Sequence, residues 1–174
     1  YNDASIIILP IPWEVTVSYS AGTAAAPQAI LDASSQLDFF DPFLENAYKY
    51  GAYMLKISEH WMQKSKQLRP KANEYIKLLE NGIDIKDNAT MLNSLNEINA
   101  ACNELRQWVF EETDKILKDG KLLALLGGDH STPLGYMQAL ANHYEDFGIL
   151  QIDAHADLRN AYEGFTYSHA SIMY

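Results

Sequence analysis

The apolar positions fall into two textures. Ser5-Ile6-Ile7-Ile8-Leu9 is a short β-branched run ending at Pro10, which predicts a strand covered on both faces, as in parallel sheets. Pro10 to Gly22 carries Pro12, Trp13, Ser18 and Ser20 and is expected as loop. From Pro27 to Leu37, Ala29, Ile30, Ala33 and Leu37 recur at helical spacing, and Gly51 to Ile57 fits a second strand.

From His60 to Gly120 helical periodicity takes over. Pro70 precedes a pattern over Lys71–Glu80 that Asn81-Gly82 stops. A long helix follows, with Asp87 or Asn88 able to cap it, running to Lys118. Its apolar stripe includes Leu92, Leu95, Cys102, Leu105, Trp108 and Val109, mostly three or four residues apart, so it should be buried. At 1.5 Å per residue the helix would be roughly 45 Å long. Gly120 suits the left-handed position after its end.

The next unit is the most legible. Lys121–Leu126 reads as a strand and Thr132–Tyr144 as a helix, with Ser131 or Thr132 as cap. Phe147–Ile152 reads as another strand. A strand–helix–strand crossover predicts two parallel, neighbouring strands. Polar motifs follow both, where open α/β sheets bind ligands: Gly127-Gly128-Asp129-His130-Ser131 after the first, and Asp153-Ala154-His155-Ala156-Asp157 after the second.

The chain has 174 residues, enough for one domain, and a formal net charge of −10. Such an acidic surface argues against a nucleic-acid partner. No apolar run approaches the roughly 20 residues of a membrane span, and no signal-peptide pattern opens the chain. The first residue is Tyr1, so an upstream piece is expected. Cys102 is the single cysteine; no internal disulfide can form, which suits a reducing cytoplasm.

Asp153, His155 and Asp157 alternate with alanines. In an extended segment, i, i+2 and i+4 share a face, so two carboxylates and an imidazole would converge. Such close like charges call for a cation between them. With His130 they make a mixed oxygen–nitrogen set suited to Mn²⁺, Fe²⁺, Co²⁺ or Zn²⁺. His60 and His143 read as surface groups.

The residues 126–131 (LGGDHS) and 152–159 (IDAHADLR) resemble the two metal signatures of the ureohydrolase family, which contains arginases, agmatinases and formimidoylglutamases. Residues 22–30 (GTAAAPQAI) resemble its N-terminal segment, and Tyr167-Ser168-His169-Ala170 an agmatinase-type stretch. The resemblance covers most of the chain except about His60 to Leu105. It implies a three-layer, doubly wound, mainly parallel α/β sheet of the arginase-like kind. The expectation is a single domain over 1–174, truncated at its C-terminal end, with a helical insertion at about 60–118. It also implies a homo-oligomer, a trimer or hexamer, and two Mn²⁺ ions. On that pattern His130 binds one ion, His155 the other, Asp153 bridges both and Asp157 completes the first shell. His169 would be the mobile proton shuttle and therefore the catalytic residue. Two further aspartates belong to the pattern and would lie beyond Tyr174.

The implied reaction is attack of a metal-bridging hydroxide on a small cationic guanidino substrate, releasing urea. The loop 158–166 (LRNAYEGFT) is more like that of agmatinases, so agmatine is the expected substrate. Arginase or formimidoylglutamase activity is the alternative. Arg159 is expected to pair with an acid such as Glu163, the other reading being a substrate carboxylate. Two readings from other classes are a non-catalytic scaffold docking through the long helix and a zinc deacetylase of related architecture.

Overall fold

A computed structural model describes residues 1–174, the side chain of Asp87 excepted. Three parallel strands form one sheet: β1 (Ile6–Ile11) lies centrally, between β2 (Ala52–Met54) and β3 (Leu122–Gly127). The first crossover carries α1 (Ala26–Ala33); the second carries α2 (Glu59–Glu80) and α3 (Ala89–Lys118). A final helix, α4 (Leu134–His143), follows β3.

β1 does not stop at Pro10. Ile6 donates to Gly51 and Ile8 accepts from Leu55, so even-numbered β1 residues address β2. Pro10 faces that side beyond the end of the β2 ladder, where its missing N–H costs no ladder bond. Ile7, Leu9 and Ile11 turn the other way to β3 and are fully buried.

α2 also begins earlier than its sequence suggests. It starts at Glu59, capped by the Ser58 hydroxyl, and runs unbroken through Pro70. An interior proline costs about 3 kcal/mol. Against that stands one continuous buried face of Trp61, Ser65, Leu68, Ala72 and Tyr75, three to four residues apart over both halves, with Ile76 beside it. Burial of each large apolar side chain contributes roughly 1.5–3 kcal/mol, so packing outweighs the break.

α3 matches its expected bounds. Asn88 Oδ1 accepts from Met91 N–H at 3.1 Å, and Gly120 (φ 70°) ends the helix in a Schellman turn: Gly120 N–H donates to Leu117 O, and Lys121 N–H to Ile116 O. Cys102, Leu105 and Val109 are buried, with Leu95 and Trp108 packed against the same core. Leu92 is the exception and is exposed, because the helix turns Met91 inward instead. α4 packs on α3 at close range: a Cβ on Gly135 would sit 2.2 Å from Arg106 O.

The expected partner strand of β3 is not formed. Phe147–Ile152 makes no ladder with any strand; Leu150 is 86% and Ile152 92% exposed. The run lies beside α4, sharing a groove with Tyr136, Met137 and Leu140. Leu122, Ala124 and Leu126 address β1, so the outer edge of β3 presents Leu123 and Leu125, and there Tyr136 Oη donates to Leu123 O at 3.4 Å. A single extended run has no stability without backbone partners on a neighbouring strand, and none is in place beside this one.

Candidate metal centre

The turn after β3 is set by contacts with the end of β1. Gly128 adopts φ 43°, and a Cβ there would lie 2.2 Å from Trp13 O. This position therefore requires glycine. Asp129 N–H then donates to Trp13 O at 2.8 Å. The Asp129 carboxylate folds inward and is buried, accepting from Ser131 N–H at 2.9 Å and from the Ser131 and Thr16 hydroxyls. Burial raises its pKa, and the Ser131 donors partly offset that. Asp129, not a Ser131 or Thr132 cap, shapes the approach to α4: its carbonyl accepts from the Thr132 hydroxyl at 3.0 Å, and Pro133 stands at the N-cap. The next residue, His130, is thereby aimed out of the fold over the sheet's carboxyl edge.

Two carboxylates meet His130. Its Nδ1 lies 2.7 Å from Asp157 Oδ2 and 3.2 Å from Asp153 Oδ2. A single ring nitrogen can donate one proton to one of them, so two carboxylate oxygens share one hydrogen, an arrangement that a cation between them would relieve. The three residues each offer a ligand atom, all within 4.8 Å of one another. Mixed oxygen and nitrogen donors at this separation fit a divalent first-row ion.

The route to convergence differs from the strand alternation expected. Residues 153–155 form a bend, and Asp157 sits at φ 51°, a left-handed conformation rare for a residue other than glycine. The backbone N–H of His155 donates to Asp153 Oδ1 at 2.9 Å, which is the main cause holding the Asp153 carboxyl below its ordinary range. The His155 ring stays outside the trio: it is 83% exposed, with Nδ1 3.7 Å from Asp153 Oδ1.

His155 instead faces a cavity of about 540 Å³ that opens beside the trio, lined also by Asp157, Arg159, Tyr162, Ser18 and His169. His169 opens a short 3₁₀ turn whose N-cap is Ser168. Its Nε2 is 3.5 Å from Ser18 Oγ, its buried Nδ1 has no hydrogen-bond partner, and its ring meets Tyr162 edge-on. Arg159 does not pair with Glu163. Its guanidinium stacks 4.8 Å from the Tyr162 ring, while Glu163, at a left-handed φ of 55°, has a buried Oε2 without a hydrogen-bond partner.

The loop carrying Tyr162 is held from below by the long helices. Asn99 of α3 donates to Gly164 O at 3.1 Å and accepts from Thr166 N–H at 3.0 Å. Tyr75 of α2 donates to Glu163 O at 2.8 Å, and Phe165 is fully buried among their side chains. Neither Asn99 nor Tyr75 is legible as a site residue from sequence, because each is an ordinary member of a helical stripe. Asp129 could have been found: an acid between a Gly-Gly turn and a histidine invites the question of what it anchors.

The chain thus combines a parallel α/β sheet with a His–Asp–Asp trio at its carboxyl edge, a group able to hold a metal ion. The family model for "Arginase family" matches residues 4–174, and the chain belongs to that family. It is 30% identical to an N(1)-aminopropylagmatine ureohydrolase of Thermus thermophilus over the whole of this chain and 47% of that protein. It is 26% identical to the agmatinase of Halalkalibacterium halodurans, over 98% of this chain and 47% of the relative. The crystal structure of the agmatine ureohydrolase of Thermoplasma volcanium superposes with a TM-score of 0.65 at 21% identity, covering 98% of this chain and 45% of that one, and so shares its fold. The chain spans about half the length of the curated relatives it matches. Among the described residues no helix is long and apolar enough to cross a membrane.

Proposed function

We propose that this chain supplies one half of the site of a metal-dependent ureohydrolase that cleaves a small guanidino compound, agmatine being the first choice, to urea and an amine. The carrying observation is the convergence of Asp153 and Asp157 on His130 Nδ1, at 3.2 and 2.7 Å. These three residues would hold one divalent ion. His155, one bend away, would turn in to serve a second together with Asp153. Manganese is the metal we assign, on family membership and the oxygen-rich donor set. Divalent ions, when bound, supply a deprotonated water near neutral pH.

The remaining work belongs to the chain's own groups. The cavity beside the trio would seat the guanidinium. His169 borders that cavity and would pass a proton to the departing amine nitrogen. Residues of about 60–118 are read as a helical insertion within a single domain, serving as the base on which the 162–166 loop rests. A cytoplasmic setting and a homo-oligomer complete the reading, the first on the lone cysteine and the second on family membership.

The test is urea release by the full-length protein with Mn²⁺, using agmatine, N1-aminopropylagmatine, arginine and guanidinobutyrate in parallel, and formamide or ammonia release from formimidoylglutamate beside them. Agmatine or its aminopropyl derivative should turn over fastest. Turnover of the formimino compound alone would replace the proposed substrate class.

A further inference from the structure

Three buried residues of α2 reach out to loops beside the site. Ser65 Oγ accepts from Glu14 N–H at 3.2 Å, Arg69 Nη1 donates to Val15 O at 3.0 Å, and Tyr75 Oη donates to Glu163 O at 2.8 Å. The first two bonds fasten the loop that leaves β1, and the third fastens the loop of Tyr162. Ser18, three residues beyond Val15, and Tyr162, the neighbour of Glu163, both line the cavity beside the His–Asp–Asp trio. One helix thus grips two loops that border one cavity.

Arg69 is the unusual member of the three. Arginine is almost never fully buried unless paired, yet Arg69 is 8% exposed and its buried Nε has no hydrogen-bond partner. Burial lowers the pKa of the guanidinium, and the charges of Glu14, Asp129 and Glu163, in that order, oppose this. These acids come from three places: the loop after β1, the turn after β3 and the Tyr162 loop. Packing alone does not call for a charge here, since an apolar side chain of similar length would fill the space without the desolvation of an ion. The guanidinium supplies what an apolar residue lacks, a donor to Val15 O and an attraction felt by acids on all three segments.

We propose that Arg69 is a positioning residue of this site: through α2 it joins the β1 exit loop to the Tyr162 loop and fixes how far apart Ser18 and Tyr162 stand in the cavity. The inference rests on the reading of that cavity as the seat of the guanidino substrate. Metal binding is spared when Arg69 is replaced, because the turn that aims His130 keeps its own bonds, from Asp129 N–H to Trp13 O and from Ser131 N–H to the Asp129 carboxylate.

The experiment uses the full-length protein supplied with Mn²⁺ and two readouts, hydrogen exchange by mass spectrometry and agmatine kinetics. Arg69→Met should speed exchange in both 14–18 and 162–166 while leaving the α3 core, 98–109, at its wild-type rate. Ser65→Ala should loosen 14–18 alone, and Tyr75→Phe 162–166 alone. Loss of one charged hydrogen bond should raise agmatine KM about tenfold in Arg69→Met, with kcat within about twofold and metal content unchanged. Arg69→Lys, which keeps the charge and one donor, should show the same pattern at smaller amplitude, and it decides the matter if Arg69→Met does not fold. Faster exchange throughout the chain, or a rise confined to 14–18, would reduce Arg69 to a stabilising contact and overturn the proposal, as would loosening of both loops with KM unchanged. A wild type that releases no urea from any guanidine would sink the proposed function, and the exchange pattern would then support or overturn the link between the two loops on its own.

Discussion

Asn99 offers a test of how the long helices reach the site. Its amide makes two hydrogen bonds to the backbone of the 162–166 loop, at 3.1 and 3.0 Å, and touches none of the metal trio. Removing it in Asn99→Ala leaves Gly164 O and Thr166 N–H without that partner. Each net hydrogen bond contributes about 1 kcal/mol, less where water can replace it, so the loop should lose about 1–2 kcal/mol of local stability. Phe165 and the Tyr75–Glu163 bond still anchor it, so the loop loosens and does not detach. If Tyr162 and the neighbouring Arg159 form the substrate wall, agmatine KM in the full-length enzyme should rise by roughly five- to thirtyfold, the equivalent of that energy. Metal content by mass spectrometry should stay at the wild-type level. Asn99→Asp should recover the bond to Thr166 and part of the loss. A lowered melting temperature with KM unchanged would refute the reasoning, reducing Asn99 to a stabilising contact.

Three further outcomes follow from particular residues. Gly128→Ala should destabilise the protein by about 3 kcal/mol or more in urea titrations, since the added Cβ meets Trp13 O at 2.2 Å at a left-handed φ worth about 1–2 kcal/mol by itself; wild-type stability would mean that the turn can move away from β1. Cys102 should resist alkylation of the folded protein, because burial pushes its thiol far up, and label readily in urea; rapid native labelling of its tryptic peptide would contradict the packing. Glu163→Gln should raise the melting temperature at pH 7 more than at pH 4. Desolvation raises the folded carboxyl above its unfolded value of about 4.3, so its contribution to stability is retained at low pH and lost as pH climbs through that value; an equal gain at both pH values would point to another cause.

The legible parts of this molecule are those whose cause is local. The Asn88 cap, the Schellman turn at Gly120 and the polar motifs after two apolar runs are written in adjacent residues. Pro10 and Pro70 misled as stops because their cost depends on which way a missing N–H faces and on how much the flanking turns bury. Phe147–Ile152 has the composition of a buried strand, but a strand exists only through its neighbours, and pairing is not encoded in one run. Asp153 and Asp157 were recognisable as a pair, yet their meeting point is made by a bend and a left-handed aspartate rather than by the pleat. Asn99 and Tyr75 were invisible because the loop they hold lies more than sixty residues away in sequence.

The central claim is that His130, Asp153 and Asp157 hold a catalytic divalent ion. Its most direct test is urea release from agmatine by the full-length protein, stripped with chelator and then titrated with Mn²⁺, beside Asp153→Asn treated identically. The account predicts no activity in the stripped enzyme, recovery on Mn²⁺ addition, and loss of both bound metal and turnover in Asp153→Asn. Full turnover after stripping, or an Asp153→Asn enzyme that keeps wild-type metal content and rate, would contradict it.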